Sequence, residues 1–380
     1  MSKLEELIQE LCPNGVEYKK LKEVSLMKRG TSLTKKNAVV GDIPAISGGK
    51  EPAFHCNVAN RDGETITVAG SGAGAGYVQY WDKPIFVCDA FSIKGIKDVT
   101  ITKYLYYLLT NIQNEIYATK KGGGVPHVHI SDIENLSFPV PPLPIQEEIV
   151  RILDNFAELT AELTAELTAR KQQYEYYKNM LLNNDFPKVQ LSSLGKVSMC
   201  KRVLKSQTST KGGIPFYKIG TFGKEPDSYI SEDLFNEYKT KYSYPKKGDI
   251  LISCSGTIGR TVVFDGEPSY YQDSNIAWLN HDETIVLNKF LKYCYELKPW
   301  NISDGGTIAR LYNDNILKSY IPCPPLEEQE RIVGILDKFD SLCNDLTKGL
   351  PAEIENRQKQ YEYYRDKLLT FKRLEVNAND

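Results

Sequence analysis

Sites for chemistry are what these 380 residues lack. The chain has no Asn/Asp-Pro-Pro-Tyr/Phe motif, no glycine loop of the S-adenosylmethionine type, no Walker motif and no prominent nuclease cluster of Asp with Glu-x-Lys. Nothing therefore equips it for methyl transfer, nucleotide hydrolysis or strand cleavage on its own. Its eight cysteines (Cys12, Cys56, Cys88, Cys200, Cys254, Cys294, Cys323, Cys343) form no Cys-x-x-Cys pair and do not cluster with the four histidines. That excludes the usual zinc and dithiol patterns and fits reduced, mostly buried thiols. A run of about eighteen apolar residues, the minimum for a membrane span, is absent. The opening Met1-Ser-Lys-Leu-Glu-Glu6 has no apolar core for a signal peptide. The expectation is a soluble cytoplasmic protein.

Charge of one sign is also missing, since the net charge is −2. The balance hides a partition. Residues 14–138 carry 15 Lys+Arg against 12 Asp+Glu, and residues 186–321 carry 18 against 14, so both are positive. Residues 139–184 carry 4 against 7 and residues 322–380 carry 9 against 12, so both are negative. Cations gather on two segments, the sense expected if only those segments face phosphates.

What is present is a duplication. Gln-Tyr-Glu-Tyr-Tyr occurs at Gln173–Tyr177 and at Gln360–Tyr364. Pro139-Val-Pro-Pro-Leu143 with Gln146–Phe156 matches Pro322-Cys-Pro-Pro-Leu326 with Gln329–Phe339 at a constant offset of 183. Fainter echoes precede these: Leu21–Arg29 resembles Leu194–Arg202, and Ala69-Gly-Ser-Gly72 resembles Ser253-Cys-Ser-Gly256. The first echo sets Lys28-Arg29 opposite Lys201-Arg202. Four segments follow: a first module at 1–138, a helical spacer at 139–184, a second module at 185–321 and a C-terminal helical region at 322–380.

Ser2 and Glu5 form a capping box for a short opening helix. The first module then reads as β-runs at 43–46, 65–69, 77–81 and 85–88 followed by a helix at 103–118. The second repeats this with β-runs at 215–219, 249–254, 261–264 and 276–279 and a helix near 287–297. Strands precede the helix in each, which points to α+β.

From Ile145, apolar residues recur at Ile149, Ile152, Phe156, Leu159, Leu163, Leu167, Tyr174, Tyr177 and Leu181, a coiled-coil seam with a stutter. The second copy lays out a similar seam from Ile332 to Phe371, which Pro351 should break or kink. The natural partner of each long helix is the other, packed antiparallel. Within the first lies a repeat, Thr160-Ala-Glu-Leu163 and Thr164-Ala-Glu-Leu167. One four-residue step advances about 6 Å and returns nearly to the same helix face, so changing the unit count acts as a ruler. From Phe156 to Gln173 is four residues shorter than from Phe339 to Gln360.

The ordered set of motifs, present twice, resembles the specificity subunit of a type I restriction-modification system. Arg357–Leu369 and Gly248–Gly259 carry the resemblance together with the proline-rich and Gln-Glu-x-Ile-Val runs. It covers essentially the whole chain. It implies two target-recognition domains in tandem repeat with pseudo-two-fold helical regions, reading a bipartite asymmetric site in double-stranded DNA. It also implies docking of two methyltransferase subunits, restriction (motor and nuclease) subunits attached through them, and Thr-Ala-Glu-Leu units that set the gap. S-adenosylmethionine, ATP and Mg are then expected in the partners and no cofactor here; no metal site and no membrane are expected. The alternative is a coiled-coil scaffold that binds no DNA.

Candidate DNA contacts are Lys28, Arg29, Lys35, Lys36, Lys50, Lys120 and Lys121 in the first module, and Lys201, Arg202, Lys205, Lys211, Arg260 and Arg310 in the second. Lysines favour phosphates; Arg310, Arg260, Gln79, Gln207 and Asn275 have the planar donors that base reading needs. His127 and His129 alternate on one strand face and lack a third metal ligand, which favours solvent or nucleic-acid contact. Gly70–Gly76 fits neither dinucleotide nor P-loop patterns and reads as a tight strand-to-strand turn or a loop approaching phosphate. Lys120–Gly124 and Asp304–Gly306 read as paired flexible loops. Tyr174, Tyr177, Tyr361 and Tyr364 are candidates for partner docking, and Thr160, Leu163, Thr164 and Leu167 for the spacer.

Overall fold

A computed structural model describes residues 2–301 and 310–374; the expected loop at Asp304–Gly306 lies outside the described residues. The chain forms two compact units, Met1–Thr164 with Glu353–Asp380, and Ala165–Ala352. The architecture is α+β in tandem.

Each unit is built on a four-stranded antiparallel sheet. In the first the spatial order is Ser25–Arg29, Ala90–Gly95, Thr65–Ala69, Val78–Trp81; in the second it is Gly195–Ser198, Ile276–His281, Ile250–Ser253, Thr261–Val263. Thr65–Ala69 and Ile250–Ser253 are buried along their whole length; the buried hydroxyls of Thr65 and Thr67 are satisfied, Thr65 donating to Gly63 O and Thr67 accepting from Trp81 Nε1, both at 2.9 Å. A three-stranded sheet accompanies each: Phe54–Cys56, Ile43–Ile46, Phe86–Val87 in one, and Tyr229–Ile230, Ile214–Tyr217, Tyr270–Tyr271 in the other. The expected helix at 103–118 is two pieces, Thr102–Asn111 and Gln113–Ala118. The second unit also holds a helix at Glu232–Lys241, capped by Ser231, whose hydroxyl accepts from the Leu234 amide at 3.3 Å.

One expectation fails on strand register. Lys28 and Arg29 pair with Ser92 and Phe91, while Ser198 pairs with Trp278 and Val197 with Leu279. The amide of Leu21 donates to Leu136 O and that of Leu191 to Ser319 O, both 2.9–3.0 Å. Leu191, not Leu194, is therefore the counterpart of Leu21. Arg29 corresponds to Met199, and Lys201-Arg202 lies beyond. Local similarity at Val-Ser drew the sequences three residues out of register.

The first long helix, Leu143–Leu182, runs 40 residues without interruption. The boundary between units falls inside its Thr-Ala-Glu-Leu repeat. The second is two helices, Leu326–Asn344 and Leu350–Leu368. The break precedes Pro351, which sits in the first turn of the later helix, where a missing amide hydrogen costs nothing. Asp345 makes the turn by accepting from the amides of Thr347 at 2.7 Å and Lys348 at 3.2 Å. Gly349 is required there, because a Cβ would lie 2.5 Å from Ser341 O. The four extra residues of this copy thus accompany a turn rather than a longer continuous helix.

In the first unit Ile145, Ile149 and Leu153 enter a core that also takes Tyr361, Leu368, Leu369 and Phe371, and Phe156 stacks on Tyr364 at 5.5 Å. In the second, Ile332 and Leu336 share a core with Tyr174, Leu181 and Leu182, and Phe339 stacks on Tyr177 at 5.6 Å. Opening turns of one repeat's helix meet closing turns of the other's in both units, an antiparallel pairing with the partners exchanged.

A buried glutamine joins each module to its helix. Gln146 accepts from the Ile101 amide at 2.9 Å and donates to Val99 O and Pro141 O at 3.0 and 2.7 Å. Gln329 repeats all three, to Leu287 N, Ile285 O and Pro324 O, at 2.9, 2.8 and 2.8 Å. Beside them Lys103 and Tyr107 bind Asp154, and Lys289 and Tyr293 bind Asp337.

Candidate nucleic-acid interface

The same small frame recurs at the end of both central strands. Gly70 donates its amide to Asp89 O and receives at its carbonyl the amide of Val128, both at 3.0 Å. Cys254 does likewise with Asn275 O at 2.7 Å and the Leu311 amide at 2.9 Å. Ser71 donates to the Asp89 carboxylate, and Ser255 donates to Asn275 Oδ1 at 2.8 Å. Val128 and Leu311 are buried, whereas their neighbours on each side are half-buried or exposed.

Those neighbours are His127 and His129 in the first unit, and Arg310 and Tyr312 in the second. The imidazoles stack at 5.9 Å and 22°; the Arg310 guanidinium lies 5.8 Å from the centre of the Tyr312 ring and also donates to Ser274 O. The expected continuous strand through the histidines is absent: His127 makes isolated bridges to Ser71 and Lys121, and His129 caps the short helix Ile130–Ile133. Among the described residues no group of three or more His, Cys, Asp and Glu could hold a metal.

A cleft of about 220 Å³ opens beside the histidines, lined also by Arg29, Gly70, Cys88 and Asp89. A cleft of about 650 Å³ opens at the matching place in the second unit, lined by Met199, Ser274, Arg310 and Tyr312. Arg61 fixes the rim of the first, donating to Arg29 O at 2.8 Å and Ser92 Oγ at 2.6 Å. Around the second, Arg202, Lys205 and Lys218 share a further 720 Å³ depression with Gln272 and Asn275.

The remaining sequence candidates divide. Lys28, Lys35, Lys36, Lys50 and Lys211 are exposed. Lys50 lies 5.2 Å from the Tyr77 ring centre, Lys120 4.2 Å from that of Tyr117, and Lys201 5.0 Å from that of Tyr242. Lys121 instead pairs with Asp132 at 2.5 Å, across a short turn in which Lys121 and His127 exchange backbone bonds. Burial opposes the charge on Asp132, yet the Lys121 ammonium and the His129 amide hold its pKa below the ordinary carboxylate value. Arg260 is occupied by Phe222 O at 2.9 Å and Thr257 Oγ1 at 3.2 Å. Gln207 caps its own turn through the Leu204 amide, and Gln79 donates to Lys50 O. Residues 70–77 join Thr65–Ala69 to Val78–Trp81 through successive turns, in which the amides of Ala75 and Tyr77 donate to Gly72 O and Gly74 O at 3.0 and 2.9 Å. Sequence reading passed over Asp89, Met199 and Tyr312; the constant offset of 183 would have set Tyr312 against His129.

Along the helices Thr160 and Thr164 donate to the carbonyls four residues earlier, at 2.8 Å each, and Leu163 and Leu167 are half-buried. Of the four tyrosines, Tyr174 is buried, Tyr177 and Tyr361 are half-buried against cores, and Tyr364 is 42% exposed. The open rings are Tyr176, 65% exposed and edge-on to Tyr177, and its counterpart Tyr363, 63% exposed and edge-on to Tyr364.

The family model described as the type I restriction modification DNA specificity domain matches residues 13–170 and again 183–356. A type I restriction enzyme specificity subunit of Haemophilus influenzae is 47% identical over 372 residues, covering 94% of this chain and 96% of that protein. The EcoR124I/EcoR124II specificity subunit of Escherichia coli is 35% identical over 310 residues, covering 74% and 73%. Among solved structures, the S subunit from M. genitalium superposes with a TM-score of 0.61 at 17% identity, covering 93% of this chain and 96% of that one. The fold is shared with it. No helix among the described residues is long and apolar enough to cross a membrane.

Proposed function

The chain belongs to the type I restriction-modification specificity subunits, the DNA-recognising and non-catalytic component of such systems, and from that premise we propose that it reads a bipartite target, one half-site per unit. The observation that carries this is the duplicated cleft. Its frame of backbone bonds is the same in both units, while the residues that face outward differ at nearly every matched position. A shared frame with unlike linings suits two unlike half-sites. The basic candidates around the clefts would supply phosphate contacts, which position the protein without reading sequence. The scaffold alternative falls with the family assignment.

The gap between half-sites is set, in this reading, by the Thr-Ala-Glu-Leu repeat, because the unit boundary falls inside it and the helix is unbroken there. Domain limits at 1–138, 139–184, 185–321 and 322–380 belong to the same proposal. Two methyltransferase subunits would dock on the helices, with Tyr176 and Tyr363 as matched exposed anchors near Tyr177 and Tyr364. Restriction subunits would join through them, and S-adenosylmethionine, ATP and Mg would be bound by those partners. Sequencing of methylated bases in DNA from cells carrying this chain and its methyltransferase tests the reading. It requires two unlike half-sites around an unspecified gap; one continuous motif would overturn it.

A further inference from the structure

We infer that the outward pair flanking Val128 and Leu311 selects bases, so that residues 127 and 129 specify part of the first half-site and residues 310 and 312 the corresponding part of the second. The inference rests on the bipartite reading above and adds to it the side chains and their chemistry.

Four observations converge. Both pairs stand on either side of a buried residue whose amide is locked to the turn ending the central strand, at 3.0 Å from Gly70 O and 2.9 Å from Cys254 O. Their backbone is thus placed by the core rather than by a free loop. Both pairs are planar groups held in contact with each other, the imidazoles at 5.9 Å and the guanidinium at 5.8 Å from its phenol ring. A preformed stack loses little freedom on meeting a base edge. Each pair also opens on a cleft at the same place in the fold. Finally, matched positions change type while the frame does not: Arg29 corresponds to Met199, Asp89 to Asn275, His127 to Arg310 and His129 to Tyr312.

The exchanges carry chemical meaning. Each cleft holds one guanidinium, Arg29 from a strand end in the first unit and Arg310 from the opposite segment in the second. Arg310 donates to Ser274 O with one of its nitrogens, which aims the rest of its planar fork. Such a fork matches O6 and N7 of guanine in the major groove, whereas a lysine can supply only a point donor. Asp89 and Asn275 add a further contrast, since a carboxylate accepts from the cytosine amino group and a carboxamide pairs with adenine. The second half-site is assigned a guanine at the position Arg310 reaches.

The test uses the full chain assembled with its methyltransferase on a duplex library randomised at both half-sites. Arg310→Lys should reduce the preference at one position of the second half-site by roughly tenfold to a hundredfold, leaving the first half-site and the salt dependence unchanged. His127→Arg with His129→Tyr should alter bases in the first half-site only. If the wild type shows no bipartite preference, the underlying reading fails. If the wild type is bipartite but both variants retain its preference, or Arg310→Lys weakens all sequences equally, the assignment of these pairs is overturned. Methylation at the unaltered half-site reports that each variant is folded.

Discussion

Replacing Gln146 by leucine tests how the first module is fastened to the long helix. The side chain is fully buried and makes three bonds to backbone groups, two of them on the segment leading into helix Thr102–Asn111. Leucine nearly preserves volume, so the cavity term is small. It leaves the Ile101 amide and the Val99 and Pro141 carbonyls without this partner. An orphaned buried donor costs about 1–3 kcal/mol and a carbonyl somewhat less. The sum is about 3 kcal/mol, on the order of a hundredfold in the equilibrium for opening. Hydrogen exchange followed by mass spectrometry should show faster exchange over 102–111 by that factor. The helix Asn288–Glu296, held by Gln329, serves as an internal control and should not change; Gln329→Leu should give the mirror result. A change below threefold at 102–111 would refute the view that this bond set fastens the module.

Glu148 has a buried carboxylate bound by Arg151 at 2.6 Å and by Lys3 at 3.0 Å. The Arg151 hydrogen bond, opposed by burial and assisted by Lys3, draws its pKa to about 2 from 4.5. Because the folded value is the lower one, its stabilisation is complete above about pH 4.5 and is lost as pH falls toward 2. Glu148→Gln should flatten the pH dependence of urea unfolding across that window, and an unchanged slope would contradict the ion-pair reading. Tyr176→Ala and Tyr363→Ala remove exposed rings, so melting temperature should hold while each costs one of two bound methyltransferase copies in native mass spectrometry. Retention of both copies in the double variant would remove these tyrosines from the docking surface.

Much of the architecture was legible because the helical segments are near copies. Gln146 and Gln329 hold equivalent buried posts, and the proline-rich entries before them are almost identical, so a fixed offset located both. The strands that read well, such as Thr65–Ala69, are buried along their whole length and built from β-branched residues between turn residues. Ser25–Arg29 was missed because Ser25-Leu-Met-Lys-Arg29 has no apolar alternation, and Ala90–Gly95 although Phe91 and Ile93 alternate with Ser92 and Lys94. The interface was harder. Lys28-Arg29 and Lys201-Arg202 looked equivalent by local similarity, yet equivalence is decided by pairing partners distant in sequence. Tyr176 and Tyr363 were overlooked because the seam period selects rings that face inward.

Under the proposed function, one helix measures the gap between two independently read half-sites. Deleting Thr164–Leu167 removes about 6 Å of helical rise and about 400° of turn, which restores the helix face. Sequencing of methylated bases from cells carrying this variant should return both half-sites unaltered, with the gap between them shortened. An unchanged gap, or any change in the half-site sequences, would contradict the account.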